Sequence, residues 1–478
     1  MFSNPIIRRY RFSQFRPQQA WVFGSLYVCI ALLILFINTS IYRYSADGYD
    51  TVKELYVGLF VQFAVLELFL LWLLCPANCS NVVGREIADK SFDFFRMLPL
   101  SASQKAIGIL AGRNLFCLML AAVNLGICVG FALAGELSPA LVRQMLTTVL
   151  ALTFALNLLA LLFSVITYKK NKVTSIPVLL VIGLFAFGPV IGFLVGAVND
   201  QKLEAMTAYF FTVRMPLLYL ISCCAMFVGV WAYLGIVRRF TREYEALFSR
   251  VGAAVFLLSV MVVLCGLFYK FFFHYDALDA GRAFWLVSLL PVAVVPLFAM
   301  RSFDKYLEIT RTAHRVKGLW GRLLAHSNVV SGLILYAIWL GFAVSVGVTV
   351  QAAVAEMLWL VILSFSAYLV ILALLETYVM WQPKNEKIGY LVGFAGILYF
   401  VLPLILAAMF ENEALTLFSP FGIIGIFEED YPVMTLLMPA ILNLVWLLPL
   451  CLLIGKRYDD LVGIRTGMQK PQAEVSAA

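Results

Sequence analysis

The sequence predicts an all-α, polytopic integral membrane protein with about twelve transmembrane helices. Of its 478 residues, 63% are hydrophobic and only 13% are charged, and a soluble protein of this length could not bury so much apolar surface. A helix needs about 20 apolar residues to cross roughly 30 Å of hydrocarbon. Runs of this kind occur at 20–42, 56–75, 107–134, 146–168, 174–198, 213–237, 251–273, 283–300, 327–349, 353–381, 388–410 and 433–455. The 283–300 run is the shortest, and it contains two prolines.

The placement of basic residues predicts cytosolic N- and C-termini. With the N-terminus inside, the cytosolic positions hold the arginines of 8–16, the lysines of 169–172 and the basic residues of 238–250 and 301–322. The few basic residues that fall outside are Arg43, Lys53, Arg143, Lys202, Arg214, Lys270 and Arg282. This is the positive-inside pattern. The net charge of +8 is therefore a topology signal, and no nucleic-acid partner is expected.

The predicted spans divide into two halves of six, 1–245 and 246–478. In each half, an amphipathic segment follows the second span, at 84–98 and at 301–313, and both segments contain Ser-Phe-Asp. A tripeptide match is weak, but the shared position favours an internal six-plus-six duplication.

The segment 84–98 is the best-formed amphipathic segment on the predicted cytosolic side. Helical spacing places apolar side chains such as Phe92 and Phe95 on one face and the charges of Glu86, Asp89 and Arg96 on the other. Pro99 ends the helix, because the residue before a proline resists helical geometry. Two interpretations are open: a helix that only anchors the loop at the membrane surface, or a transmission helix that docks into a motor subunit. The second is favoured because the chain has almost no other soluble mass.

A run of features follows span two: an acidic residue, an amphipathic helix, Leu-Pro-Leu-Ser, a lysine and a glycine. The residues concerned are Arg85-Glu86, Phe95-Arg96, Leu98-Pro99-Leu100-Ser101, Lys105 and Gly108. Over about 80–110 the chain resembles the membrane (permease) subunits of ATP-binding-cassette transporters of the type-2 exporter class. The resemblance implies that this coupling helix contacts a separate nucleotide-binding ATPase subunit. The coupling residues it implies are Arg85, Glu86, Asp89, Phe92, Phe95, Arg96, Leu98, Pro99 and Lys105.

The same resemblance implies a re-entrant outer segment, for which 417–422 is the nearest candidate. The 301–313 segment lacks the Leu-Pro-Leu-Ser ending, so the two halves are expected to engage the motor unequally. A second copy of the chain becomes a further partner if one chain supplies only one permease half.

The sequence predicts a chain that is not itself an enzyme and carries no cofactor, with ATP and Mg held by the partner subunit. The phosphate-cradling motif G-x-x-x-x-G-K-[ST] is missing, since the only Lys followed by Ser or Thr is Lys90, which Asp89 precedes. No metal site is expected. A site at Cys75 and Cys79 would need further ligands, and the sequence has only three histidines, His274, His314 and His326. A membrane-embedded transferase using the acidic residues of 411–430 is a disfavoured third hypothesis, since such loops are usually solvated.

Glu67 in span two and Glu376 in span ten are carboxyl groups inside apolar runs. A charge there costs a few kcal/mol on insertion scales, so each is either a neutral, hydrogen-bonded group, which is favoured, or part of a substrate path or proton relay. Arg113 in span three is expected to snorkel to the cytosolic surface rather than line a path. The leading hypothesis is an ATP-driven exporter permease in a plasma membrane, most simply the bacterial inner membrane. The alternative is an ion- or proton-coupled secondary transporter that uses Glu67 or Glu376.

Overall fold

The computed structural model of this chain describes residues 4–44, 51–80, 82–88, 97–167, 206–241, 246–273, 277–299, 328–381, 386–410 and 433–465. Up to residue 241, the helices are α1 (Pro5–Gln14), α2 (Pro17–Tyr44), α3 (Val52–Leu68), a π-helical segment (Phe69–Leu74), α4 (Cys75–Ser80), α5 (Val82–Ala88), α6 (Ala102–Arg113), α7 (Leu115–Ala134), α8 (Pro139–Thr167) and α9 (Leu217–Thr241). They are followed by α10 (Arg250–Phe268), a 3₁₀ turn (Phe271–Phe273), α11 (Ala277–Ala299), α12 (Asn328–Thr349), α13 (Val354–Trp381), α14 (Glu386–Phe410) and α15 (Val433–Arg465).

The described helices belong to an integral membrane protein. Ten of them are long and apolar enough to cross a bilayer. Large apolar side chains cover their outer surfaces: Trp21 is 78% exposed, Phe36 69% and Leu452 74%. Soluble proteins rarely expose contiguous apolar surface on this scale, whereas hydrocarbon chains solvate it. The prediction of an all-helical polytopic membrane protein is therefore confirmed in that form, while the count of twelve and the side of the termini stay predictions.

Two of the predicted spans, 283–300 and 433–455, each correspond to a single continuous helix. The short 283–300 run is part of α11, a 23-residue helix that includes Pro291 and Pro296. The last run, predicted to end at 455, continues as α15 to Arg465. Predicted span 174–198, the second amphipathic segment at 301–313, the acidic residues of 411–430 and the re-entrant candidate at 417–422 lie outside the described residues.

Predicted span three is wrong as a single helix. The chain breaks at Asn114, whose φ of −99° and ψ of 4° end α6 and precede α7. The Asn114 side chain amide donates to Cys79 Sγ at 3.1 Å and to Asn157 Oδ1 at 2.9 Å. Asparagine disrupts helices readily because its side chain competes for local hydrogen bonds. Arg113 is therefore the last residue of α6, and its predicted position inside a continuous span is corrected.

The start of predicted span six also differs from expectation. Residues Val213–Pro216 form strand β2, which pairs with β1 (Thr207–Phe210) in a two-stranded sheet, and α9 begins only at Leu217. Pro216 lacks a backbone N–H and therefore cannot continue a ladder, so the strand ends there. The predicted outer loop of 199–212 thus contains, in its described part, a strand that the apolar pattern did not indicate.

The chain separates into two compact units. The first comprises Met1–Ala208 and Arg214–Glu243, and the second comprises Tyr209–Val213 and Tyr244–Ala478. In the first unit, α8 packs along α9 and α3 packs against α7. In the second, α13 packs against α14 and α15, where Tyr399 O–H donates to Asn443 Oδ1 at 2.6 Å and Asn443 Nδ2 donates to Ser366 Oγ at 3.0 Å. Such interhelical hydrogen bonds orient helices that the hydrophobic effect cannot order in lipid.

Candidate functional site

The described residues at the two ends of the predicted coupling segment lie in α5 and just before α6. Arg85 and Glu86 are the last charged residues of the described part of α5, with Arg85 exposed. Pro99 is exposed, and Leu98 and Lys105 are half-buried on the return. The other predicted coupling residues, Asp89, Phe92, Phe95 and Arg96, lie outside the described residues. The site can therefore be built from the two ends of the segment.

The departing end of the segment is held by the N-terminal helix α1. Arg9 Nη2 lies 3.0 Å from Glu86 Oε2, and Tyr10 O–H donates to Glu86 Oε1 at 2.8 Å. The Glu86 side chain is only 13% exposed, whereas that of Arg9 is 39% exposed. Burial first, and then the negative charge of Glu86, raise the pKa of Tyr10 above its usual range. The phenol thus stays protonated and remains a donor to the carboxylate.

Two glycines allow α1 to lie directly on α6. A Cβ at Gly108 would come within 2.9 Å of the Asn4 side chain, and one at Gly112 within 2.8 Å of the Tyr10 ring and 3.3 Å of Ile7 Cα. Asn4 Nδ2 also donates to Gln104 O at 2.8 Å. Gly108 belongs to the motif that carries the family resemblance, and here it serves as a close-contact position for the N-terminal helix.

The far end of α1 is tied to the break between α6 and α7. The Gln14 side chain amide donates to Arg113 O, and its Oε1 accepts from Phe116 N at 3.3 Å. Phe15 packs edge-on against Phe116, with ring centroids 5.6 Å apart. The Arg113 residue is half-buried. Its backbone carbonyl accepts the hydrogen bond from Gln14, a contact that the snorkelling interpretation of its side chain did not predict.

The returning end of the segment starts with a capping box. Ser101 Oγ accepts from Gln104 N at 3.2 Å, and Gln104 Oε1 accepts from Ser101 N at 3.0 Å. This reciprocal pair satisfies two backbone donors at the helix start. The final residue of the Leu-Pro-Leu-Ser motif thus fixes where α6 begins. We call Glu86, its partners Arg9 and Tyr10, and the Ser101 cap the coupling frame.

From the sequence, half of the coupling frame could be identified. Glu86 and Ser101 stand in the resemblance motif. Arg9 is recognisable only as part of the positive-inside signal, and Tyr10 is not singled out. The available signal was the pattern of α1 itself, in which Ile6, Ile7 and Tyr10 are buried while Arg8 and Arg11 are exposed. That amphipathic spacing could have predicted a packed interfacial helix.

A second polar site lies among the helices of the first unit. Glu67 is 3% exposed and its Oε2 accepts from Asn124 Nδ2 at 2.9 Å. The same amide nitrogen donates to Phe63 O at 2.9 Å, and Asn124 Oδ1 accepts from Tyr27 O–H at 3.1 Å. This arrangement supports the interpretation of Glu67 as a hydrogen-bonded buried carboxyl. The chain becomes π-helical two residues after it, at Phe69.

Glu376 occupies a different unit and a different setting. It lies in α13 and is 2% exposed. Met380 and Trp381, at the end of α13, contact Arg457 of α15. Arg457 Nε donates to Met380 O at 3.2 Å, and its guanidinium carbon lies 5.8 Å from the Trp381 ring centroid. Glu376 therefore lies in the buried interior of the second unit, and a transport role for it stays a hypothesis.

Metal-site residues are not assembled in the described part of the chain. Cys75 and Cys79 are buried free thiols, and no group of three His, Cys, Asp or Glu side chains there could hold an ion.

Comparison of the chain with protein-family models, with curated proteins and with solved structures found no match.

Proposed function

We propose that the chain is the permease subunit of an ATP-driven ABC transporter that works as an exporter. ATP hydrolysis would take place on a separate nucleotide-binding subunit, which would bind ATP and Mg. Its movement would act on 84–98 and shift the helices between inward-open and outward-open arrangements. The plasma membrane, most simply the bacterial inner membrane, is the proposed location.

The observation that carries the proposal is the coupling frame. A segment that transmits force needs firm attachment at both ends, since a loose loop would absorb the displacement. Glu86 is held by Arg9 and Tyr10 of α1 at one end; at the other end Ser101 caps α6, where Gln104 O accepts from Asn4 Nδ2. A helix that only anchors a loop at the membrane surface needs neither attachment. The frame therefore favours transmission over anchoring.

Co-purification from native membranes tests this proposal. The native chain should bring down an ATP-binding subunit, and a Phe95→Ala, Arg96→Glu variant should lose it while remaining in the membrane. The matched control is Arg8→Glu, because Arg8 is an exposed arginine of α1 outside the segment. A chain that purifies alone and still transports would contradict the proposal, as would a variant that keeps the subunit.

The second candidate is an ion- or proton-coupled secondary transporter. The burial of Glu67 favours it, because intramembrane carboxyl groups are commonly functional in transporters. Transport by cells expressing the chain would then stop on addition of a protonophore and persist after ATP depletion. The ATP-driven permease predicts the reverse, so one pair of measurements separates the two candidates.

A further inference from the structure

A cavity of about 180 Å³ opens beside Glu67 in the first unit. Its walls come from α3, the π-helical segment, α7, α8 and α9, and almost all of the lining is aliphatic or aromatic. The polar exceptions are Glu67, Trp72 and Thr148, together with the thiol of Cys128. The cavity is thus a small apolar compartment with a single carboxyl group.

The polar donors around this cavity are already engaged within the protein. Trp72 Nε1 donates to Thr153 Oγ1 at 3.2 Å, and Thr148 Oγ1 is 2.9 Å from Gln144 O and 3.0 Å from Leu218 O. The amide nitrogen of Asn124 reaches Glu67 Oε2 but serves Phe63 O as well. A polar ligand must therefore bring its own hydrogen-bond donor to the Glu67 carboxyl.

Glu67 also lacks a positive partner in the described part of the chain. No Arg, Lys or His side chain there pairs with it, in contrast to Glu86 with Arg9 and Glu356 with Arg282. A carboxylate buried without a counter-charge is strongly disfavoured, so Glu67 is expected to be the neutral acid in the empty cavity and to be a carboxylate only beside a cationic ligand group. A water molecule is a poor occupant, because it needs two to four polar partners and the carboxyl group of Glu67 is the one polar group that the described lining offers it.

The size and lining of the cavity restrict the ligand further. An engineered apolar cavity of about 150 Å³ is known to hold benzene, so this one fits a body of roughly one aromatic ring with a short arm. The Trp72 ring in the wall can attract a cation through its π-face. The π-helical segment begins two residues after Glu67, and π-helical turns occur frequently at functional sites.

We propose that this cavity binds an organic cation with an apolar body of about one aromatic ring, whose ammonium group pairs with Glu67. Its identification as the transported class of molecule rests on the proposed function, whereas binding itself does not. Glu67 then acts as the counter-charge of the ligand: the proton that the neutral carboxyl holds in the empty cavity passes to the neutral amine, which leaves a carboxylate–ammonium pair.

Binding of phenethylamine to the purified chain in lipid nanodiscs tests the proposal. Radiolabelled phenethylamine should bind saturably, and unlabelled phenethylamine should compete while 3-phenylpropionate, the anion of matched shape, should not. Glu67→Gln keeps the shape and an acceptor for Asn124, and it should weaken binding tenfold or more. Ala64→Leu, which fills the cavity from α3, should abolish binding. Glu136→Gln is the control, because that carboxyl is exposed and outside the cavity.

Equal binding by the native chain and Glu67→Gln would overturn the proposal, and so would competition by 3-phenylpropionate as strong as that by phenethylamine. Non-saturable uptake that Ala64→Leu leaves unchanged would show partitioning into lipid and overturn it too. The assay contains no ATPase. A failure of phenethylamine binding therefore leaves the ATP-driven permease standing, and an absent ATPase partner leaves the cavity proposal standing.

Discussion

Replacing Gly112 by alanine should loosen α1 from α6 and so disturb the coupling frame. The added Cβ would lie 2.8 Å from Tyr10 Cδ2, 3.2 Å from Tyr10 Cβ and 3.3 Å from Ile7 Cα. The Tyr10 ring has little freedom to move away, because its hydroxyl is bonded to Glu86 at 2.8 Å. Overpacking of this kind costs about 1–3 kcal/mol, against a helix-propensity gain of at most about 1 kcal/mol. The expected net loss is about 1–2 kcal/mol in the docking of α1.

Hydrogen exchange of the chain in nanodiscs measures this loss directly. Backbone amides of 6–14 should exchange roughly tenfold faster in Gly112→Ala, since about 1.4 kcal/mol corresponds to a factor of ten in an equilibrium constant. Gly126→Ala is the matched control, because nothing lies within 4 Å of a Cβ there, and it should leave α1 unchanged. Equal exchange of α1 in the two variants would refute the packing argument.

Four further substitutions test the frame and the buried polar site. Ser101→Ala should destabilise the start of α6 by about 1 kcal/mol, which faster hydrogen exchange of the backbone amides in its first turn would show. Unchanged exchange would mean that the capping box does not stabilise the start of α6. Asn124→Ala should lower the unfolding free energy by about 2 kcal/mol, at roughly 0.6 kcal/mol for each of three lost hydrogen bonds. Tyr27→Phe removes one such bond and should lower it by roughly 0.6 kcal/mol. Equal losses of unfolding free energy in denaturant titrations of the two variants would contradict the network. The pKa of Tyr10 is higher in the folded chain than in the unfolded one. Its contribution to the free energy of unfolding is therefore complete below about pH 10 and falls as the pH rises further. Tyr10→Phe should therefore show a smaller fall in melting temperature between pH 10 and pH 11 than the native chain, and parallel curves would argue against the raised pKa.

The membrane architecture could be predicted from the sequence because one physical constraint dominates it. Hydrocarbon demands long apolar runs with all backbone groups satisfied internally, and such runs stand out without reference to tertiary contacts. The helix of Ala277–Ala299 was found in this way although it contains Pro291 and Pro296. Hydropathy cannot register a local break, however. Asn114 interrupts an apolar run because of bonds to Cys79 and Asn157, and both partners are distant in sequence.

The candidate site was predictable to a smaller extent, because most of its contacts join residues that are distant in sequence. Glu86 and Ser101 are part of a local motif, and Glu67 is conspicuous as a carboxyl in an apolar run. Their partners Arg9, Tyr10 and Asn124 reach them across tens of residues, so no spacing rule points to them. The cavity beside Glu67 depends on how five elements pack and has no signature in the sequence.

The most direct test of the central claim is to ask what Phe95 contacts in native membranes. A photo-crosslinking amino acid placed at that position, with adducts identified by mass spectrometry, distinguishes a coupling helix from a surface anchor. The ATP-driven permease predicts a crosslink to an ATP-binding subunit, absent when the photo-crosslinker is placed instead at Phe36 on the exposed face of α2. Adducts with lipid alone at both positions would contradict the account.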